Sequence, residues 1–562
     1  MMASRVDASD TQILGSPESF PVLSEAQLER ATSGLSVRSH GAGDVLLEPG
    51  QSPPGIFVLL DGELEILQIL DRKSTVVRVL EAGQFTGEVS TLAGRPAVVR
   101  IVARTPARVV LIPRERLLTL VRNDADLGDV FMRAFVLRRA ELINLGLGDV
   151  VLVGSDHCAG TLRIRDFLIR NDYPFAEVDL DREPDVEGLL QQFHIALADV
   201  PVLICRGTII LRNPSNDEIA DCLGFNAAID VTKPRDLVIV GAGPAGLGAA
   251  VYAASEGLDV LVLETTAPGG QAGSSSRIEN YLGFPLGISG RDLARAAYEQ
   301  AQKFEAKLMV ARRATRLDCA RRPYVLEVDH GERIETRALI IASGAEYRTL
   351  SVPGIERFEG SGVYHSATKM EQRLCAGEEV VIVGGGNSAG QAAIFLANEA
   401  RQVHMLVRSS GLSDTMSRYL IDRIEHHPKI HLRTRTQVVA VEGANHLENI
   451  MWQHADSGEI TKSPIRHLFV MAGAVPNTKW LEGCLALDEK GFVRTGGDLS
   501  REDLMAARWP LGRPPHLLET TLPGVFAVGD VRSGNLKRVA SAVGEGSIAV
   551  ALVHRALRER GA

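Results

Sequence analysis

Cysteines are few, and none is placed to work with another. Six are spread over 562 residues, Cys158, Cys205, Cys222, Cys319, Cys375 and Cys484, and no two stand in a C-x-x-C pair. That scatter argues against a zinc ribbon, a disulfide framework and a local redox dithiol, and no metal site is expected. Long apolar runs are missing too. No stretch reaches the roughly eighteen apolar residues of a membrane span, and the N-terminus lacks a cationic start followed by an apolar core. Neither export nor a membrane partner is expected, and the reading is cytoplasmic. Basic excess is also absent: 61 Lys and Arg face 70 Asp and Glu, a formal charge of −9, which gives no electrostatic reason to expect nucleic acid. What remains is an ordinary globular composition, 45% hydrophobic and 23% charged. The chain is several times the usual domain size of about 100–200 residues, so three or four domains are expected.

The most specific chemistry lies in residues 237–264. An apolar run at 237–240 reads as a buried parallel strand. It feeds directly into Gly241, Gly243 and Gly246, the G-x-G-x-x-G spacing whose glycines make a tight turn, admit a pyrophosphate and let the next helix pack on the strand. The N-terminal amides and dipole of that helix would hold phosphates. The following strand, 260–263, ends in Glu264, placed to accept a hydrogen bond from a ribose hydroxyl. These features together predict a dinucleotide site rather than a turn in an ordinary βαβ unit. A second unit follows, in which 380–383 runs into Gly384, Gly385, Gly386, Asn387 and Ser388 and strand 403–407 ends beside Arg408. Two such units imply two dinucleotides. In the second, Arg408-Ser409-Ser410 offers a guanidinium where an acid would repel a 2′-phosphate, with Arg418 as a supplement, so NADPH is favoured over NADH.

Residues 1–20 are polar and read as a disordered tail, after which Ser24 and Gln27 form a capping box opening a short helix. Short apolar strands at 45–47, 56–60, 64–67, 76–80, 97–102 and 108–112 are separated by glycine turns, the spacing of a small barrel or jelly roll. Helices follow at 114–121 and 127–143. Over residues 21–146 this β-roll resembles a cyclic-nucleotide-binding domain, carried by EPGQSPPGIFVLLDGELEI and GQFTGEVSTLAGRPAVV. The resemblance implies that Gly87 and Glu88 open a short helix cradling a cyclic phosphate. Glu88 would take the ribose 2′-hydroxyl, and an arginine after a proline would neutralise the phosphate. Here the order is Arg95-Pro96-Ala97, with alanine where the charge is needed. That loss should cost about 2–5 kcal/mol unless Arg95 or Arg100 swings in. The fold is therefore expected, with cyclic-nucleotide binding weak or absent.

Residues 147–226 read as strand 149–153, helix 162–170, strand 175–179, helix 184–193 and strand 202–205. This order resembles a thioredoxin or glutaredoxin domain. The resemblance puts Cys158 at the nucleophile's position and Pro201 at that of the facing cis-proline, while Thr161 replaces the second cysteine, as in monothiol members. A cysteine at a helix N-terminus beside His157 is a candidate catalytic thiol. The alternative is a redox fold retained as a docking module.

From residue 234 on, further motifs appear: Gly269-Gly270-Gln271, then SRIENYLGFP containing Asn280, Ala342-Ser343-Gly344-Ala345, Pro476-Asn477-Thr478, and Pro523 through Asp530. Together with the two glycine clusters, these closely resemble low-molecular-weight thioredoxin reductases over about 330 residues. The resemblance implies an FAD-binding domain at 234–350 and 475–562 around an NADPH-binding domain at 351–474. In it Asp530 would hold the sugar-phosphate part of FAD, and Arg538, Val539 and Ala540 would close over the isoalloxazine. The departure falls at Tyr364-His365-Ser366-Ala367-Thr368-Lys369, where Ser366 and Lys369 align with the two cysteines of the family's C-A-T-C. Cys375 is unpaired and cannot form the local disulfide that accepts electrons from reduced flavin.

The fold class expected is therefore a multidomain α/β protein with two Rossmann-like units of thioredoxin reductase type, preceded by a β-roll and a thioredoxin-like domain. The function expected is an FAD-dependent NADPH oxidoreductase that passes electrons to an unidentified acceptor, a small redox protein being one candidate. Two alternatives stay open: a disulfide reductase working through Cys158 or a partner thiol, and a ligand-gated redox sensor with low turnover. A homodimer is also left open.

Overall fold

The computed structural model describes residues 17–561 apart from 71–72, 89–90, 93, 145–148, 156–157, 182–198, 206–208, 227–228, 276, 348, 366, 368, 445 and 472–473. The chain divides into two units, residues 1–230 with 299–311, and residues 231–298 with 312–562.

In the first unit, Ser24 and Gln27 make the expected capping box at the start of helix Glu25–Thr32. Two antiparallel sheets follow. One orders Val37–His40, Ala107–Pro113 and Gly55–Asp61, and the other Val45–Leu47, Arg100–Ala103, Leu64–Leu70 and Lys73–Leu80. The strand expected at 97–102 begins only at Arg100, because Ala97 donates its N–H to the Gln51 carbonyl in a loop-to-loop pair. Helices Arg114–Asn123 and Ala125–Asn144 close the roll. Their apolar faces share a core with Ile56, Val58 and Phe85, where Phe85 meets Phe131 edge to face at 4.8 Å. The tail expected through residue 20 has its end built into this core: Ser19 and Phe20 are buried, and Arg138 donates to the Ser19 carbonyl at 2.7 Å.

The same unit contains a four-stranded sheet ordered Ile209–Arg212, Val202–Cys205, Val150–Gly154 and Ala176–Asp179. Val150–Gly154 pairs in parallel with Ala176–Asp179, and the other two pairings are antiparallel. Helix Ala159–Arg170 packs on it through Leu162, Ile164, Phe167 and Leu168. The helix expected at 184–193 lies outside the described residues.

The second unit holds two large sheets, a two-stranded ribbon and a three-stranded antiparallel sheet of Thr436–Glu442, Asn449–His454 and Ile460–Ser463. In the first, Val260–Glu264, Arg235–Val240, Arg333–Ile341 and Val525–Ala527 run parallel, extended by the antiparallel strands Tyr324–Val328 and Ala314–Asp318. The second is fully parallel and ordered Val363–Tyr364, His467–Val470, Glu379–Val383, Gln402–Leu406 and Ile430–Arg433. The ribbon Ala345–Tyr347 with Ala474–Pro476 carries the chain out to the second sheet and back. Near-continuous apolar strands such as LVIV and VVIV explain the parallel pairing, since both faces are covered. The C-terminal helix Val539–Gly561 packs on helix Pro244–Ser255 at very short range. A Cβ on Gly546 would stand 2.3 Å from the Ala245 carbonyl oxygen.

The cysteine scatter misled in one respect. Cys319 and Cys484 form a disulfide across 165 positions, with Cα atoms 5.8 Å apart. Cys319 follows strand Ala314–Asp318, and Cys484 follows the turn Lys479–Leu481 that lies against that strand. The fold makes this pair, and sequence spacing carries no trace of it.

Candidate functional site

The first glycine cluster is a backbone cradle that admits no side chain. Gly241 has φ +105°, and a Cβ there would meet the Ala342 carbonyl oxygen at 2.2 Å; one on Gly246 would meet the Gly241 carbonyl oxygen at 1.8 Å. Gly243 caps helix Pro244–Ser255 without a side-chain partner, so that helix presents open N–H groups to whatever lies against the turn. Gly270 crosses beside it, and Gly269 donates its N–H to the Ala242 carbonyl at 2.8 Å. Gln271 donates to the Ala345 carbonyl. Glu264 is 8% exposed, and its carboxylate accepts N–H groups from Ala242 at 2.8 Å and Thr266 at 3.0 Å.

Asp530 lies in the turn Gly529–Val531, which joins the same cradle because Gly529 packs on Ala245. Glu545, a residue the motifs did not flag, accepts the Gly529 N–H at 2.7 Å and pairs with Arg532. Burial pushes the Asp530 carboxyl above the usual carboxylate range. Val539 and Ala540 begin the C-terminal helix, and Arg538 just before it is exposed. Asn280 is exposed in a loop whose Tyr281 and Phe284 rings stack at 6.0 Å. Gly241, Gly243, Gly246, Glu264, Gly270 and Asp530 thus converge, while Asn280 and Arg538 are exposed.

The second cluster repeats the pattern. Gly384 has φ +147°, and a Cβ there would stand 2.4 Å from the Met471 carbonyl oxygen. Gly386 caps helix Asn387–Leu396. Thr415 donates to the Gly385 carbonyl at 2.7 Å, and Asn387 Oδ1 accepts the Ser417 N–H at 2.7 Å, fixing the loop over the cradle. Ser388 and Arg408 are exposed. Arg435 donates its N–H to the Ser409 carbonyl, bringing a second arginine beside Arg408, and its guanidinium pairs with Asp456. Arg418 is held by Asp422 at 3.0 Å on its own helix.

At the departure, strand Val363–Tyr364 leads to His365, whose Nε2 lies 3.0 Å from each Glu359 oxygen. Ser366 falls outside the described residues, and Lys369 opens helix Lys369–Leu374. Cys375 is fully buried, donates its thiol to the Glu371 carbonyl at 3.0 Å, and is pushed up to about 12 by burial. Such a thiol is inert at neutral pH.

Cys158 is half-buried and caps helix Ala159–Arg170. The Val200-Pro201 bond is cis, and a Cβ on Gly160 would meet Pro201 Cγ at 2.9 Å. The proline therefore abuts the first turn after Cys158. Thr161 is fully buried, with no hydrogen-bond partner for its hydroxyl among the described residues. His157 falls outside them.

In the β-roll, Arg138 donates to the Gly87 carbonyl at 2.8 Å, and Glu88 lies 3.6 Å from the buried Arg139. Arg95 lies over Phe225 and Arg100 pairs with Glu48, so each of these arginines has a partner other than Glu88.

The family model described as pyridine nucleotide-disulphide oxidoreductase matches residues 235–546, more than half of the chain. That described as cyclic nucleotide-binding domain matches residues 37–124. The chain is 31% identical over 368 residues to NADPH-dependent thioredoxin reductase 3 of Arabidopsis thaliana, covering 62% of this chain and 65% of that protein. It is 33% identical over 327 residues to the thioredoxin reductase of Mycolicibacterium smegmatis, covering 58% of this chain and 97% of that one. Among solved structures, Lactococcus lactis thioredoxin reductase in its FR conformation matches with a TM-score of 0.52 and 26% identity, over 58% of this chain and 99% of that chain. The T. acidophilum thioredoxin reductase matches with a TM-score of 0.51 and 28% identity, over 57% and 98%. With two glycine cradles that fit dinucleotides and these relatives over the whole region carrying them, the chain belongs to the pyridine nucleotide-disulphide oxidoreductases, as a thioredoxin-reductase-like flavoprotein enzyme using FAD and a nicotinamide cofactor and carrying a cyclic-nucleotide-binding domain.

Proposed function

We propose that this enzyme takes electrons from NADPH through FAD and delivers them to an acceptor without a dithiol of its own beside the flavin. The observation that carries this is Cys375: it is the cysteine nearest the motif, and it is buried, hydrogen-bonded and strongly disfavoured as a thiolate. Lys369 holds a position where the family's exchange needs sulfur.

FAD would be held by Gly241, Gly243, Gly246, Glu264, Gly270, Gln271, Asn280, Asp530, Arg538, Val539 and Ala540, and NADPH by Gly384, Gly386, Asn387, Ser388 and Arg408. When bound, NADPH supplies a hydride and FAD the carrier that hands two electrons onward. The chain supplies orientation and electrostatics. The N-terminal N–H groups of Pro244–Ser255 and Asn387–Leu396 would hold phosphate, while Glu264, held by two backbone N–H groups, would keep lone pairs for a ribose hydroxyl. Arg408, exposed and followed by two hydroxyls, suits a 2′-phosphate. We take the domains as 21–146, 147–226, 234–350 with 475–562, and 351–474, in a cytoplasmic protein whose acceptor is a small redox protein or a small molecule. Among the described residues no helix is long and apolar enough to cross a membrane. Anaerobic reduction by NADPH, followed by a screen of acceptors, tests the reading; failure of NADPH to bleach the flavin would end it.

A second reading, disulfide reduction through Cys158, is favoured by that residue's position at a helix N-terminus with Pro201 packed against the same turn.

A further inference from the structure

The order of the second parallel sheet bears on where the reacting end of a dinucleotide would lie. From Glu379–Val383 the chain adds Gln402–Leu406 and then Ile430–Arg433 on one side, and places His467–Val470 and Val363–Tyr364 on the other. The order therefore reverses beside Glu379–Val383, and open parallel sheets bind ligands outside the carboxyl ends of their strands at such a reversal. A dinucleotide with its pyrophosphate at Gly384–Gly386 and its 2′-phosphate at Arg408, just beyond Gln402–Leu406, has its adenosine half on the first side. Its nicotinamide half must then cross the ends of His467–Val470 and Val363–Tyr364. Neighbouring strands are about 4.8 Å apart, so the edge strand lies about 10 Å from the glycine loop.

The residue after that edge strand is His365. Tyr364 is level with Phe469 and Val383 with Val470, so His365 stands level with the last residue before Gly384. Its Nε2 donates to the Glu359 carboxylate, whose oxygens are both 3.0 Å away. The two side chains are 27% and 36% exposed, so the pair faces solvent in part. A carboxylate bonded to one imidazole N–H keeps lone pairs for other donors. The carboxamide of nicotinamide brings two N–H donors in one plane.

We propose that Glu359 accepts a hydrogen bond from the nicotinamide carboxamide and that His365 is the positioning residue that fixes the direction of that carboxylate. This rests on the NADPH assignment above. The pair stands next to the position where the family's dithiol is missing, and it gives that face of the domain a role in seating the cofactor.

The test is binding to the intact protein, measured by calorimetry with two probes, NADP⁺ and adenosine 2′,5′-bisphosphate, which lacks the nicotinamide half. Glu359→Ala should weaken NADP⁺ on the order of 10-fold, the worth of one hydrogen bond to a charged group, and leave the bisphosphate within about 2-fold. Retained bisphosphate binding also shows that the variant is folded. Glu359→Gln and His365→Gln should each show a smaller loss, again confined to NADP⁺. Arg408→Ala should weaken both probes. If the Glu359 and His365 variants weaken neither probe, or both equally, the inference is overturned. If Arg408→Ala weakens neither, the underlying NADPH site is wrong and the inference falls with it.

Discussion

The Arg95 guanidinium lies 4.6 Å over the Phe225 ring, and Arg95 is 8% exposed. The charge that could have compensated for Ala97 is turned to an aromatic face of the following segment. Phe225 in turn stacks on Phe167 of the helix that Cys158 caps, at 6.2 Å.

Cyclic AMP should therefore bind weakly or not at all, and micromolar affinity by calorimetry would refute this. Phe225→Leu keeps apolar bulk and removes a cation–π contact of about 0.5–2 kcal/mol. It should raise cyclic AMP affinity severalfold. An unchanged titration would mean that the stack does not hold Arg95 away from the cradle.

The contrast between what the sequence exposed and what it hid has a simple physical form. The glycine cradles were legible because a tight turn, its helix and the terminal acid are local, so spacing alone encodes them. Glu264 was legible in that way, whereas Asp530 entered only through the resemblance of its motif to that of thioredoxin reductases. Arg95 on Phe225, Glu545 beneath Gly529, Glu359 at His365 and the Cys319–Cys484 disulfide were not. Most of these join residues on different elements, and the fold decides which residues meet. Glu359 and His365 are close in sequence, yet no periodicity marks them, because a turn rather than a helix brings them together.

Purified protein should be yellow with tightly bound FAD. Gly246→Ala places a Cβ 1.8 Å from a backbone oxygen, a clash no rotamer relieves. It should lose flavin and about 1–3 kcal/mol of stability. Visible absorbance and a urea titration check both, and a Gly246→Ala variant that retains its flavin would remove the cradle argument.

NADPH should bleach the flavin faster than NADH, and Arg408→Ala should narrow that preference by about 1–3 kcal/mol. Equal rates with both donors in the unmodified protein would refute the role proposed for Arg408, whose exposed guanidinium at this strand end is the group proposed to tell a 2′-phosphate from a hydroxyl.

The Glu359–His365 pair should make stability depend on pH. The hydrogen bond that His365 donates to Glu359 is the largest influence and, with the carboxylate's charge, raises the His365 pKa against the opposing effect of burial. A raised folded-state value contributes stability that is complete below the unfolded value of about 6.5 and is lost as pH rises through the folded one. The gap in urea midpoint between the unmodified protein and His365→Gln should therefore be wider near about pH 6 than near about pH 9. Equal gaps would show that the proton is not held by this pair.

The sharpest expectation concerns the missing dithiol. Reduction of the flavin needs only the cofactors in contact, whereas reduction of thioredoxin needs a thiol pair that Ser366 and Lys369 do not supply. NADPH consumption with oxygen or a quinone should be measurable, and turnover with an ordinary thioredoxin negligible. Cys375→Ser should change neither rate, because that thiol is buried and pushed up to about 12. Any residual disulfide reduction should disappear in Cys158→Ser when measured against quinone reduction in the same sample, since Cys158 is half-buried and caps a helix. Efficient thioredoxin reduction that survives Cys158→Ser would place the exchange at another cysteine, and the electron path proposed here would be wrong.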